Sequence, residues 1–260
     1  MKALKILSIL VTSVLSNVVV SQNDTMYVIQ SGVVIGKHAV SNVDSLVFYD
    51  VTQIDSFSTN DNIKDEDGNI YNLVTIGEQE WMAENLRTSK YEDGTTIPNI
   101  TDDSQWKTLT TGSWSNYENN SQNDSAYGKL YNWYAVHDPR NICPTGWHVP
   151  TDAEWTTLTD YLIANGHSGA EVSVLKANFG WNDYKGQNGN GTDVFGWAGL
   201  PGGYRSSSGK FYNIGERGHW WSSSQYISEA WYRGLISDDL GVDKSRYNKR
   251  GGFSVRCLKD

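Results

Sequence analysis

Two cysteines, Cys143 and Cys257, are the only thiols in this 260-residue chain, one near its middle and one fourth from its end. Paired thiols can hold a soft metal, exchange with a substrate, or close a disulfide. As a disulfide they would span more than a hundred residues, and loop-closure entropy values such a crosslink at roughly 4–5 kcal/mol. The other chemistry-bearing residues form no catalytic set. His38, His137, His148, His167 and His219 are dispersed, with no two at metal-ligand spacing, and no Gly-x-Ser-x-Gly elbow occurs. His148, between Trp147 and Val149, reads as a hydrogen-bonded structural histidine. Glu80 and Glu84 are carboxylates that sequence cannot place opposite one another. Glu154 stands three residues after Thr151, where it reads as half of a helix cap. Asp183, Asn188, Asn190 and Asp193 could hold calcium, which wants clustered oxygens on a flexible backbone, and would serve equally well as turn formers. Asp65-Glu66-Asp67-Gly68-Asn69 starts like a calcium loop but lacks a Glu at its twelfth position, so a hairpin turn is the better account.

The elements that must position these residues start with an export signal. A short basic start, Met1 to Lys5, precedes apolar runs from Ile6 to Leu15 and Val18 to Val20, and Val19 and Ser21 suit a signal-peptidase site with cleavage after Ser21. No later stretch is apolar enough to span a membrane. Two cysteines in an exported chain favour a structural disulfide over a metal or redox pair. The formal charge is −9, and losing Lys2 and Lys5 would leave −11. Such a surface repels nucleic acid and anionic lipid, and no basic patch is read that offsets it. Eleven Trp and fifteen Tyr, with 25 Gly, predict a core built largely from rings and joined by many tight turns.

Residues 22–58 read as a short β segment, with strands at 26–29 and 33–35 around Ser31-Gly32 and a third at 45–49. Residues 59–260 form the main domain. It opens with strands at 70–76 and 79–85 joined by Gly77-Glu78. A polar excursion over 91–124 reads as loop. Tyr127, Leu130, Tyr131 and Tyr134 fall on one helical face and predict a helix ending near Pro139. Thr151 and Glu154 form a capping box, and Trp155, Leu158 and Leu162 make the buried stripe of a second helix that stops before Asn165-Gly166. The span 180–203 reads as Gly- and Asn-rich loop, and short strands follow at 220–223, 230–235 and 252–257. In the last, Phe253, Val255 and Cys257 share the apolar face. One cysteine before a capped helix and one on a core-facing strand would tie helix to sheet.

Six ordered segments then carry a resemblance: Trp81 to Leu86, Tyr127 to Val136, Cys143 to Trp155, Leu200 to Arg205, Trp220 to Ser223, and Gly252 to Cys257. Over roughly residues 64–260 they resemble the Fibrobacter succinogenes major paralogous domain, found in exported proteins of that bacterium and of Bacteroidetes-type bacteria. The segment at 26–49 looks like a leader found before such domains. The resemblance implies an α+β, C-type-lectin-like fold near the sulfatase-modifying enzymes, with two helices on a twisted, mostly antiparallel sheet and long irregular loops. Those enzymes oxidise a substrate cysteine with two copper-binding thiols, and here both thiols sit in the segments of a structural bridge. Sugar-binding C-type lectins use a Trp-Asn-Asp triplet, which Trp181-Asn182-Asp183 matches without a Glu-Pro-Asn or Gln-Pro-Asp partner.

The expected function is therefore an exported, non-catalytic recognition domain, extracellular, at the cell surface or periplasmic. Its expected partner is an extracellular polysaccharide or a surface protein, met through loops around 181–197 and 205–228. Most rings must be core. The candidate ligand-binding rings are Trp181, Tyr184, Trp197, Tyr212 and Tyr226, with calcium at Asp183, Asn188, Asn190 and Asp193 as the one cofactor the oxygens allow. A structural part in a surface assembly is the remaining alternative.

Overall fold

The computed structural model describes the backbone of residues 17–22, 25–30 and 33–39, and residues 62–237 and 241–260 with their side chains. The chain divides into two compact units, Met1–Phe57 and Ser58–Asp260. In the first, β1 (Asn17–Gln22), β2 (Thr25–Gln30) and β3 (Val33–Ala39) form an antiparallel sheet in that order. β1 runs across the cleavage position expected after Ser21: its β-branched Val18-Val19-Val20 takes extended backbone readily. The strand expected at 45–49 lies outside the described residues.

The second unit continues with β4 (Ile63–Lys64), β5 (Ile70–Tyr71), β6 (Leu73–Ile76) and β7 (Gln79–Met82). Next come α1 (Asp103–Trp106), β8 (Trp114–Ser115), α2 (Asp124–Tyr127), β9 (Leu130–Asn132) and α3 (Trp133–Val136). β10 (Trp147–His148) leads into α4 (Asp152–Leu162) and α5 (Glu171–Leu175). The remainder is β11 (Gly202–Arg205), β12 (Phe211–Ile214), β13 (Arg217–Tyr226), β14 (Glu229–Ile236), β15 (Asp243–Asn248), β16 (Gly252–Phe253) and β17 (Leu258–Lys259). One sheet runs β10-β17-β7-β6, and a larger one runs β15-β14-β13-β11-β16-β9-β8 with β12 on β11. These named strands pair antiparallel except β11 with β13. The described residues are thus mixed α and β, mostly sheet with few helices, and no barrel closes.

Local chemistry explains most of these elements. Gly77, at φ +64°, supplies the left-handed turn between β6 and β7. The buried Asp65 carboxylate accepts hydrogen bonds from the amides of Asp67 and Asn69, the Asn69 carboxamide and the Tyr71 hydroxyl. That segment is therefore the turn from β4 to β5. On α4, the Thr151 hydroxyl accepts from the Glu154 amide while the Glu154 carboxylate accepts from the Thr151 amide at 2.7 Å. Trp155, Leu158 and Leu162 are its buried face. Beyond Leu162 the helix loosens, with Gly166 at φ +88°.

Two helical expectations change. The stretch from Tyr127 to Tyr134 is not one helix: Leu130–Asn132 is a strand between β8 and β16, followed by the four-residue α3. Its i, i+3, i+4 ring pattern arises because both faces of that strand are buried, which periodicity cannot distinguish from a helix stripe. As a result α4 is the single described helix longer than five residues, in place of an expected pair.

The core has two clusters. One holds Tyr71, Trp133, Trp147, Trp221, Phe253, Val255 and both cysteines, and the other holds Trp81, Trp155, Trp181, Trp197, Trp220 and Leu258. The closing segment separates them. Phe253, Val255 and Cys257 enter the first cluster, while Arg256 lies over the Trp197 and Trp220 rings of the second. Period-2 alternation is present, but both faces are buried.

Candidate ligand-binding surface

Cys143 and Cys257 are bonded, with an S–S distance of 2.04 Å and a sequence separation of 114. The bond ties the loop before β10 to the segment before β17, and those strands then pair, Trp147 with Lys259 and His148 with Leu258. It therefore staples neighbouring strands of one sheet rather than helix to sheet: both sulfurs lie in the first cluster while the buried stripe of α4 lies in the second. His148 bridges the cap and the chain end, with Nε2 3.0 Å from Glu154 and Nδ1 2.7 Å from Asp260. Glu80 pairs with Lys259 and Glu84 accepts from Asn72, so neither carboxylate faces the other across a cleft.

Beside the disulfide, the Arg256 guanidinium is fully buried, with no carboxylate among the described residues in contact. It donates to the carbonyls of Trp197 and Ala198 and to Asn85 Oδ1, and sits 3.8 Å from the Trp197 ring centroid. Burial pushes its pKa down to about 9. Asn85 is the hub: its Oδ1 also accepts from the Trp220 indole, and its Nδ2 donates to the Tyr127 carbonyl. Four of the six sequence segments thus meet at one carboxamide.

The ring candidates separate sharply. Trp197 is fully buried, ringed by Trp81, Trp155 and Trp220 at centroid distances of 6.3, 5.9 and 5.1 Å. Trp181 is 4% exposed, with its indole donating to the Gly199 carbonyl at 3.0 Å. Neither offers a face to a ligand. The reason is the shortage of aliphatics: loop tryptophans plug the core. Tyr184, Tyr212 and Tyr226 are exposed. Of the calcium candidates, Asn190 Oδ1 accepts from the Trp181 amide, Asn188 Oδ1 from the Asn190 amide and Asp193 Oδ1 from the Ala198 amide. Their oxygens hold turns, as the left-handed φ of +49° at Asp193 also indicates. Asp183 lies exposed in the same loop. No group of three or more His, Cys, Asp or Glu among the described residues could hold a metal ion.

The two exposed tyrosines on the large sheet are each propped by a second ring. Tyr212, 46% exposed, lies 5.7 Å from Tyr204, and Tyr226, 42% exposed, lies 5.7 Å from Trp231. Tyr226 ends β13. The two-residue turn that follows places Ile227 at φ +53° with 82% of its surface exposed. A β-branched residue there costs roughly 1–2 kcal/mol that Gly would not. Arg246, directly opposite Trp231 on β15, places its guanidinium 4.2 Å from the Tyr226 centroid and 5.3 Å from that of Trp231. Lys244 lies 5.1 Å over Trp231 and pairs with Asp152, which Arg233 also grips. Burial opposes ionisation of Asp152, but hydrogen bonds from Lys244 and Arg233 hold its carboxyl below the usual range. Ring burial alone cannot be read from composition, but Lys244, Arg246, Lys249 and Arg250 fall within seven residues. Of that run, Lys244 and Arg246 share the face of Trp231, while Lys249 lies over Trp133.

A model of the Fibrobacter succinogenes major domain matches residues 74–259. The chain belongs to this family. No curated protein matches the chain, and no solved structure does. The family match takes in both core clusters almost whole, the disulfide, the Asn85 hub and the tyrosine-bearing strands. It also takes in a groove of about 300 Å³ floored by Asn85 and Gly128 and flanked by Tyr127, Leu200 and the exposed Phe179. Gly128, at φ +72°, is required there: a Cβ would stand 2.8 Å from the Leu86 carbonyl oxygen.

Proposed function

We propose that this Fibrobacter-type domain is an exported, non-catalytic recognition module that binds extracellular glycan or a cell-surface partner. The observation that carries the reading is the pair Tyr212 and Tyr226, exposed yet braced by Tyr204 and Trp231 on paired strands. Rings held in place lose little freedom on binding, and an amphipathic tyrosine suits stacking on a sugar face. Export is supported by the basic, apolar N-terminus and by a disulfide that persists in oxidising compartments. A C-type-lectin-like arrangement is supported by the motif order and by a capped helix beside an open, mostly antiparallel sheet. A copper-dependent thiol oxidase is disfavoured because both sulfurs are already bonded to each other. Binding of the full chain to a glycan array and to cell-wall preparations tests the proposal. Measurable binding that Tyr212→Ala or Tyr226→Ala weakens at unchanged melting temperature supports it. No binding to any polysaccharide or surface preparation removes it.

A further inference from the structure

We propose that the ridge of Tyr226, Trp231 and Arg246, with Lys244 beside it, binds acidic polysaccharide. Sugar rings would stack on the aromatic faces and their carboxylates would meet the guanidinium. This rests on the recognition reading and names its ligand class.

The ridge lies where the fold leaves a face uncovered. Glu229, Trp231 and Arg233 alternate onto one face of β14, opposite Asn248, Arg246 and Lys244 of the edge strand β15. α4 covers one end of that face. There Arg233 is buried, bonded to Asp152 and Thr156 of the helix. Past the helix N-terminus the same face emerges as Trp231, Arg246 and Tyr226, with Ile227 projecting at the hairpin tip. Arg246 is exposed and has no ion pair among the described residues, while Lys249 lies off this face, bonded to Gln225 and 4.5 Å over the Trp133 ring. The acids on this face are Asp152, held by Lys244 and Arg233, and Glu229, which forms no ion pair among the described residues.

Charge decides the ligand. The chain carries −9 overall, yet on this face Arg246 has no carboxylate partner among the described residues, beside Lys244, whose partner is Asp152. A planar guanidinium binds a carboxylate in bidentate fashion, and the flanking rings supply stacking that a bare basic patch lacks. The acidic remainder of the surface opposes a polymer as densely charged as nucleic acid more than one with a single carboxylate per sugar.

The test titrates the full chain with polygalacturonate, with a neutral β-glucan and with single-stranded DNA, at low and high salt. Polygalacturonate should bind, more weakly as salt rises. Arg246→Ala should weaken it about tenfold and Arg246→Lys by less, since the ammonium keeps the charge and loses the fork. Tyr226→Ala should weaken it about fivefold through lost stacking, and Glu229→Gln should tighten it about twofold. All three positions are at least partly exposed, so melting temperatures should match the parent. Binding of β-glucan without polygalacturonate overturns the ridge proposal and leaves the recognition role standing. Binding of neither carbohydrate overturns the proposal, and silence across surface preparations as well removes that role. Equal or tighter binding of DNA overturns the ligand class, and polygalacturonate binding that ignores Arg246 and Tyr226 places the site elsewhere.

Discussion

Arg256 and Arg246 both rest on aromatic rings, at 3.8 Å from Trp197 and 4.2 Å from Tyr226, yet they sit in opposite surroundings. Around Arg256 every direction is protein: carbonyls, a carboxamide and indoles satisfy or cover the guanidinium, and burial lowers its pKa to about 9. Around Arg246 one side is open. The same pair of groups is thus cement in one place and exposed surface in the other. The difference comes from strand position. Arg256 lies on a segment buried on both faces, whereas Arg246 lies on the edge strand beyond the end of α4. Ring-and-cation content alone therefore says little about binding, and exposure decides.

The comparison is broken hardest at the buried end. Replacing Cys257 with serine frees the segment that carries Arg256 and should cost about 4–5 kcal/mol, read as a fall in denaturation midpoint that matches reduction of the parent. An unchanged midpoint would mean the segment is held without the bond. Arg256→Ala removes one of the two donors to Asn85 Oδ1 and the guanidinium donors to two carbonyls around a cavity, with an expected loss of about 3–4 kcal/mol by chemical denaturation. A loss below about 1 kcal/mol would show that the guanidinium is not cement.

His219 gives a smaller, pH-dependent test. It is enclosed by Tyr204, Tyr232 and Phe253, and burial followed by repulsion from Arg217 pushes its pKa from 6.5 down to about 3. Between those values the unfolded chain binds the proton and the folded one does not. Its contribution is therefore intact above pH 6.5 and is lost as pH falls towards 3, by up to about 1.4 kcal/mol per pH unit. His219→Phe should flatten the stability profile between pH 6.5 and 5 and add about 1 kcal/mol at neutral pH, because neither ring nitrogen has a hydrogen-bond partner among the described residues. A parallel acid slope in both proteins would assign that slope to other groups. The smallest effect belongs at the exposed end. Arg246→Ala should change folding stability by no more than about 0.5 kcal/mol, and a larger loss would make Arg246 structural and blur the contrast with Arg256.

Much of the scaffold was legible. The capping box fixed the start of α4 because Thr151 and Glu154 satisfy local amides, and Gly77 fixed its turn through backbone freedom. The pairing of two cysteines followed from their number and from the export expected of a basic, apolar N-terminus. The helix expected from Tyr127 failed because a strand buried on both faces mimics a helix stripe. Trp181 and Trp197 were placed at the surface because Gly- and Asn-rich loops usually lie there. The cation run at 244–250 was visible in the sequence but hidden by averaging over a chain of net charge −9.

By itself the sequence determined the local pieces: the cap, the turns, the disulfide, an aromatic core and the family. Local chemistry and chain entropy suffice for those. Only the tertiary structure decided which rings fill the core and which remain open, and which arginine is buried among carbonyls. Those outcomes depend on what packs against each face from segments more than a hundred residues away, as Asn85 does against Arg256.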